Sequence, residues 1–415
     1  MFTELNRQQL NKPAKGKSCW VRLSKDEMNS RNLPIGSYVT IEKPQLQAII
    51  QKLKEFGYQT IGPQVADAAI IYGEIDSVDQ LPIGYIDKQD GGNYRLSKLG
   101  DAWFDYVVGP HSLKNYIFPP RDTILELQRI ENDWQIQEGE TPAVPLAVIG
   151  PRSCDLHALR VQDRVFLGDQ YVDQAYKTRR ESLFVAAINC RRAAAICFCH
   201  SMNTGPSVSF GFDLALTELD KQFVVQIGSD QGSKVIAAVD WSPCSSAQID
   251  EAQALREQLE QLMEERGVGN GKAKDAEEPR GRHLDTSDIR DVLMGNLEHS
   301  RWQEVAERCL ACANCTMVCP TCFCSSVEEV TDLTGDHVRR ERSWASCFTA
   351  DHSYMSSGTV RKSIASQYRQ WLTHKLATWI DQFGTSGCVG CGRCITWCPV
   401  GIDLTEEVAA IRGDA

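Results

Sequence analysis

The sequence predicts an α+β or α/β N-terminal domain followed by an all-helical C-terminal domain organised around cysteines. Three observations carry this. Between about residues 21 and 245, short apolar runs bounded by turn residues alternate with a helical stretch, the pattern of a mixed domain with a partly parallel sheet. A Gly-rich, charged stretch, GVGNGKAKDAEEPRGRH, then marks a linker. Beyond it, two cysteine runs stand 69 positions apart, and the segment between them, around Ser343 to Trp379, lacks strand alternation. The expected organisation is a polar lead-in over 1–20, the mixed domain over 21–266, the linker over 267–283 and the helical domain over 284–415.

Within the mixed domain, Leu146–Ile149, Leu183–Ile188, Phe223–Ile227 and Val235–Val239 are strand candidates. Asp155 to Phe166 has Leu156, Leu159, Val161 and Val165 on one helical face, with Asp155 placed to cap it. Residues 249–266 form a second helix, with Ile249, Ala252, Leu255, Leu259 and Leu262 on one face and Gly267 as its stop.

The cysteine runs carry the chemistry. Cys309, Cys312, Cys315 and Cys319 precede Pro320, and Cys388, Cys391, Cys394 and Cys398 precede Pro399. Each is C-x2-C-x2-C-x3-C-P, the spacing with which bacterial ferredoxins hold [4Fe–4S] clusters. Three thiolates on a tight loop grip three corners of a cubane, and the fourth crosses to the neighbouring cluster. The expected sets are therefore Cys309, Cys312, Cys315 and Cys398, and Cys388, Cys391, Cys394 and Cys319. Such interleaving holds two clusters close together, as electron transfer between them requires. The alternative is zinc, which takes four thiolates, usually from two C-x2-C pairs. Eight thiolates in two matched sets do not fit it.

A third constellation lies upstream: Cys154 in IGPRSCDLHAL, Cys190 in INC, and Cys197 and Cys199 in ICFCHS. Cys154 and Cys190 each follow a predicted strand. If those strands are parallel neighbours, both thiols emerge at one sheet edge. With Cys197 and Cys199 in the next loop, four thiolates there suit a third [4Fe–4S] cluster, His200 being a poorer substitute. For Cys190 alone, an inert core thiol is the default. Cys322, Cys324 and Cys347 are expected to be structural, because eight nearby thiolates already satisfy two clusters; a redox thiol is the alternative. Cys19 and Cys244 carry no motif.

Composition bounds the rest. A net charge of −11 argues against a nucleic-acid partner. No apolar run approaches a membrane span, which excludes membrane insertion through a helix. The N-terminal segment has no apolar core of a signal peptide. Seventeen cysteines in such a chain are read as metal ligands and reduced thiols, with the cytoplasm as the expected compartment. Arg339, Arg340, Arg342, Arg361, Lys362, Arg369 and Lys375 are expected to form a solvated helix face rather than a docking patch. No G-x-G-x-x-G follows a strand, and no P-loop, G-x-S-x-G or H-E-x-x-H occurs. His111, between Gly-Pro and Phe-Pro-Pro, is expected to fix a loop. No self-contained catalytic residue is visible, so the chain is expected to conduct electrons for its partners.

The ordered segments QDGGNYRL, GPHSLKNYIFPP, IGPRSCDLHALRVQDRVFL, CFCHSMNTGP, CLACANCTMVCPTCFC, RSWASC and CVGCGRCITWCPVGIDL extend over most of the chain. In them the sequence resembles the beta (iron–sulfur) subunit of cytoplasmic NiFe hydrogenases of the sulfhydrogenase type, to which an iron–sulfur subunit of anaerobic sulfite reductase is related. The resemblance implies an α/β domain and a helical dicluster domain. It also implies electron relay linking the NiFe hydrogenase small and large subunits with a flavin/NAD(P)-binding subunit. The eight paired-run cysteines match as ligands, and Cys154, Cys190, Cys197 and Cys199 match a further expected set. His157 departs from the basic residue expected there. The alternative is the same wire feeding an anaerobic sulfite or polysulfide reductase. A structural subunit whose clusters mainly stabilise the fold is the reading from another class.

Overall fold

Residues 33–131, 133–139, 144–168, 170–266 and 281–413 are described by the structure, a computed structural model. The expected lead-in, Cys19, Gly267 and nearly all of the expected linker lie outside the described residues. In chain order the first twelve strands are β1 (Tyr38–Glu42), β2 (Gln59–Ala66), β3 (Ala69–Glu74), the hairpin β4 (Tyr85–Asp90) and β5 (Asn93–Lys98), the hairpin β6 (Arg121–Ile130) and β7 (Asp133–Glu138), then β8 (Leu146–Ile149), β9 (Phe184–Ile188), β10 (Leu214–Glu218), β11 (Gln222–Ile227) and β12 (Ser242–Pro243).

The main sheet has eight strands in the order β12-β1-β11-β10-β9-β8-β2-β3. Its centre, β2-β8-β9-β10, is parallel, and its flanks are antiparallel. The central strands are short apolar runs (LAVI, FVAAI, LALTE) because helices cover both faces. On one face Leu46, Ile49 and Leu53 of the Gln45–Glu55 helix pack with Val235 and Ile236. On the other, Leu156 and Leu159 of the Ser153–Phe166 helix pack with Tyr176.

Three expectations of local structure change. Val235–Val239 is not a strand: Asp230–Ala237 is a helix, started by Ser229, whose hydroxyl oxygen accepts from Gly232 N at 3.0 Å. Its apolar residues fill a helix face against the sheet, and a short apolar run does not distinguish the two. Asp155 sits in the first turn, with Arg152 at the cap, its carboxylate accepting from Arg152 N at 3.1 Å. The Ser246–Glu264 helix buries Ile249, Ala252, Leu259 and Met263 but leaves Leu255 and Leu262 exposed.

The C-terminal part is not all-helical. β13 (Ser325–Thr331) and β14 (His337–Trp344) form a hairpin that joins β6 and β7 in a four-stranded antiparallel sheet ordered β13-β14-β6-β7. The alternation of VRRERSW was masked by arginines that pair across strands or with Asp122 and Asp173. The expected basic helix face is therefore dispersed. Arg339, Arg340 and Arg342 lie on β14, Arg369 bonds the Leu297 carbonyl and Lys375 is buried. Between the two cysteine runs helix begins only at Ile364, running to Thr373, through a π-helical turn His374–Thr378, to Trp379–Phe383.

One core spans both parts. Cys154, Phe198 and Cys199 from the mixed domain pack with Leu293, Trp302, Trp371, Leu376, Trp379, Ile395 and Leu404. Arg282 Nε donates to Asp403 at 2.7 Å, and Gly92 N to Ile395 O at 3.1 Å. Among the described residues no helix is long and apolar enough to cross a membrane.

Candidate metal centres

The two cysteine runs fold into the same loop twice. Ala311 and Ala313 in the first occupy left-handed backbone at φ 49° and 67°, as Gly390 and Gly392 do in the second at 62° and 74°. Ala311 N donates to Cys309 Sγ at 3.4 Å and Gly390 N to Cys388 Sγ at 3.4 Å. Each loop then enters a one-turn helix, Asn314–Met317 or Arg393–Thr396. The residue choice follows from the surroundings. A Cβ on Gly390 would lie 2.6 Å from the Phe198 carbonyl carbon, and one on Gly392 2.3 Å from Ile196 O. Only glycine fits the loop that packs on the 196–199 backbone.

The fourth cysteines cross over. Cys309, Cys312, Cys315 and Cys398 line one cavity, with Phe348, Tyr368 and Trp371 as its wall. Cys319 instead joins Cys388, Cys391 and Cys394 around a second cavity. Cys394 lines both. Among the described residues no three His, Cys, Asp or Glu side chains converge tightly enough to hold a single metal ion; the thiols surround space instead. Cys312 is exposed, beside exposed Leu310 and Val400, whereas Cys319 and Cys391 are buried.

The upstream cysteines meet at a sheet edge. β8 and β9 are parallel neighbours, so Cys154 and Cys190 emerge together at their carboxyl ends, where ligands gather in open α/β sheets. Cys197 and Cys199 are buried in the adjoining loop. Cys199 lies within electrostatic reach of Cys197, Cys190 and Cys391, and Cys154 within reach of Cys391 and Cys199. The loop is tied to the second run by Phe198 N donating to Gly390 O (2.9 Å) and Thr204 Oγ1 to Val389 O (2.6 Å).

Residues 308–402 match the family model described as a 4Fe-4S dicluster domain. Over 376 residues, 90% of this chain and 98% of the relative, the sequence is 26% identical to Sulfhydrogenase 2 subunit beta of Pyrococcus furiosus. The chain thus carries a 4Fe-4S dicluster domain and is similar, over most of its length, to a sulfhydrogenase beta subunit. No solved structure matches it.

Burial, which disfavours the charged form, pushes the Cys197, Cys347 and Cys388 thiols each up to about 12. Binding iron therefore means displacing protons. Cys319 is the exception: hydrogen bonding from Cys322, then the Lys375 ammonium, hold it well below the usual thiol range. Lys375 Nζ donates to Cys319 Sγ at 3.1 Å. Burial works against charge on Lys375, but the Cys319, Cys322 and Cys388 sulfurs outweigh it.

Cations are buried around the interior thiols. Arg393, inside the second run, reaches Asp155 at 2.8 Å and donates to Gly109 O (2.8 Å) and His111 O (3.1 Å), which fixes the His111 loop. Its Nη1 has no hydrogen-bond partner, on a guanidinium beside Cys391 and Cys154. An anionic cluster fits that environment. Arg152 lies beside Cys190, and Arg266 donates to the Cys197 carbonyl at 3.0 Å. Cys322, Cys324 and Cys347 lie within electrostatic reach of Lys375. Sequence reasoning missed Arg393 and Arg152. A signal existed for the first: the matching position of the other run is Asn314, a neutral residue.

Proposed function

We infer that this chain relays electrons through three [4Fe–4S] clusters in series within a sulfhydrogenase-like complex. The ligands are Cys309, Cys312, Cys315 and Cys398 for the first, Cys388, Cys391, Cys394 and Cys319 for the second, and Cys154, Cys190, Cys197 and Cys199 for the third. The observation that carries the reading is contiguity: Cys394 lines the first and second cavities, and Cys391 shares one buried cluster with Cys154 and Cys199. The clusters would supply one-electron storage. The chain's own residues hold them adjacent, exclude water from the interior two and leave exposed Cys312 as the opening to a partner.

The partners fitting this role are a flavin subunit handling NAD(P)H on one side and NiFe hydrogenase subunits on the other, in the cytoplasm. The relative's name, a sulfhydrogenase beta subunit, supports a place in such an assembly. The test is anaerobic capture of the native complex through a tag on this chain, with co-purifying subunits identified and H2-dependent reduction of NAD(P)+ assayed. Activity is expected, together with NiFe large and flavin subunits. NAD(P)H-dependent reduction of sulfite or polysulfide without H2 activity would transfer the relay to a sulfur-oxyanion or sulfur reductase. Fully loaded protein should hold about 12 iron atoms per chain; about 8 would remove the third cluster.

A further inference from the structure

We propose that Lys375 is a positioning residue for the second centre: a buried, fixed cation that donates to Cys319 and raises that cluster's reduction potential. The inference rests on the preceding reading that a cluster is held there. Lys375 is 3% exposed. Its Nζ lies 3.1 Å from Cys319 Sγ, 3.8 Å from Cys322 Sγ, 3.5 Å from Thr321 Oγ1 and 3.4 Å from Gly387 O. Among the described residues no carboxylate lies within ion-pair distance of it. A buried ammonium without a counter-charge is costly. The anions in its surroundings are sulfurs, so the site is balanced only when those sulfurs carry negative charge.

The backbone is arranged to aim it. Lys375 sits on the π-helical turn His374–Thr378, spliced between Ile364–Thr373 and Trp379–Phe383. Such turns are rare and concentrate at functional sites. Here the widened turn also frees the Lys375 carbonyl to accept from Gly387 N at 2.9 Å, which docks the entrance of the second cysteine run on the same residue. Thr321 completes the arrangement, its hydroxyl 3.1 Å from Cys319 Sγ and donating to Gly387 O at 2.6 Å. Among the described residues lining the first centre there is no lysine or arginine. The nearest arginine on its run, Arg308, is partly exposed and paired with Glu407.

The consequence is electrostatic. An all-thiolate cluster is anionic and gains one more negative charge on reduction, and hydrogen bonds to sulfur and local charge set its potential. A cation and an N–H···S bond both stabilise the reduced state more than the oxidised one. The second cluster is thereby made easier to reduce than its burial alone would allow.

The test is an anaerobic, EPR-monitored potentiometric titration of the loaded full chain, comparing wild type with Lys375→Met, Lys375→Gln and Lys375→Arg. The neutral variants are expected to keep their iron and to lower the equilibrium constant for reducing the second cluster at least tenfold, about 59 mV for a one-electron couple. Lys375→Arg should recover most of this, with the first cluster unmoved in every variant. A loaded neutral variant titrating within twofold of wild type overturns the proposal. So does loss of the second cluster in both neutral variants, which would assign Lys375 to assembly. Wild-type protein lacking a second cluster signal would instead defeat the underlying ligand reading.

Discussion

Arg393→Met should destabilise the loaded chain by about 3–5 kcal/mol, the usual cost of removing one partner from a buried ion pair. The side chains of Arg393 and Asp155 are 1% and 0% exposed and meet at 2.8 Å. Methionine keeps the apolar stem and removes the guanidinium. Asp155 is then left in the interior with one backbone donor, Arg152 N at 3.1 Å. Gly109 O and His111 O lose their charged donor as well. Leaving buried polar groups unpaired is what makes such a deletion expensive. The exposed pair Arg290–Asp381, at 47% and 44%, is the built-in comparison; Arg290→Met should cost far less, because water screens the pair. Anaerobic urea unfolding followed by tryptophan fluorescence measures both. The double variant Arg393→Met/Asp155→Leu should lose less than the two single losses added together, because it leaves no uncompensated charge. A loss below about 1 kcal/mol for Arg393→Met alone would refute the reasoning, by showing that desolvation already cancels the pair.

Three further outcomes are expected. Cys398→Ser should remove the first cluster's EPR signal and spare the second; selective loss of the second would exclude the crossed arrangement around the two cavities. Gly392→Ala should cost at least about 2 kcal/mol and impair loading of the second centre, because φ is +74° and the new Cβ meets Ile196 O at 2.3 Å. Ala313→Gly, at the matching position, should load normally by iron analysis. His157 is lowered to about 4 by burial and by Arg160. Its unfolded form protonates near 6.5, so below that pH the unfolded state binds a proton that the folded state refuses. Stability is therefore lost as pH falls from about 6.5 towards about 4, by about 1.4 kcal/mol at pH 5.5. His157→Phe should reduce the stability lost between about pH 7.5 and about pH 5.5 by about that amount, measured by unfolding at both.

What the sequence by itself determined is the part of the protein written in local spacing. C-x2-C-x2-C-x3-C-P defines a loop whatever surrounds it, so both cysteine runs were legible as a dicluster motif. Leu146–Ile149 was legible too, as a short apolar run between turn residues, and the parallel pairing of β8 and β9 followed its predicted logic to a common edge. The tertiary structure alone decided what depends on distant partners. Val235 and Ile236 fell in a helix rather than a strand because Ser229 caps Asp230–Ala237 and a sheet face receives it. His337–Trp344 became a strand because β6, more than two hundred residues earlier, offers an edge and Asp122 and Asp173 receive its arginines. Arg393 and Lys375 look in the sequence like ordinary surface cations. Their burial beside cluster thiols comes from chain segments brought together only by folding, and Coulombic energy depends on distance and local dielectric in space, neither of which sequence separation encodes.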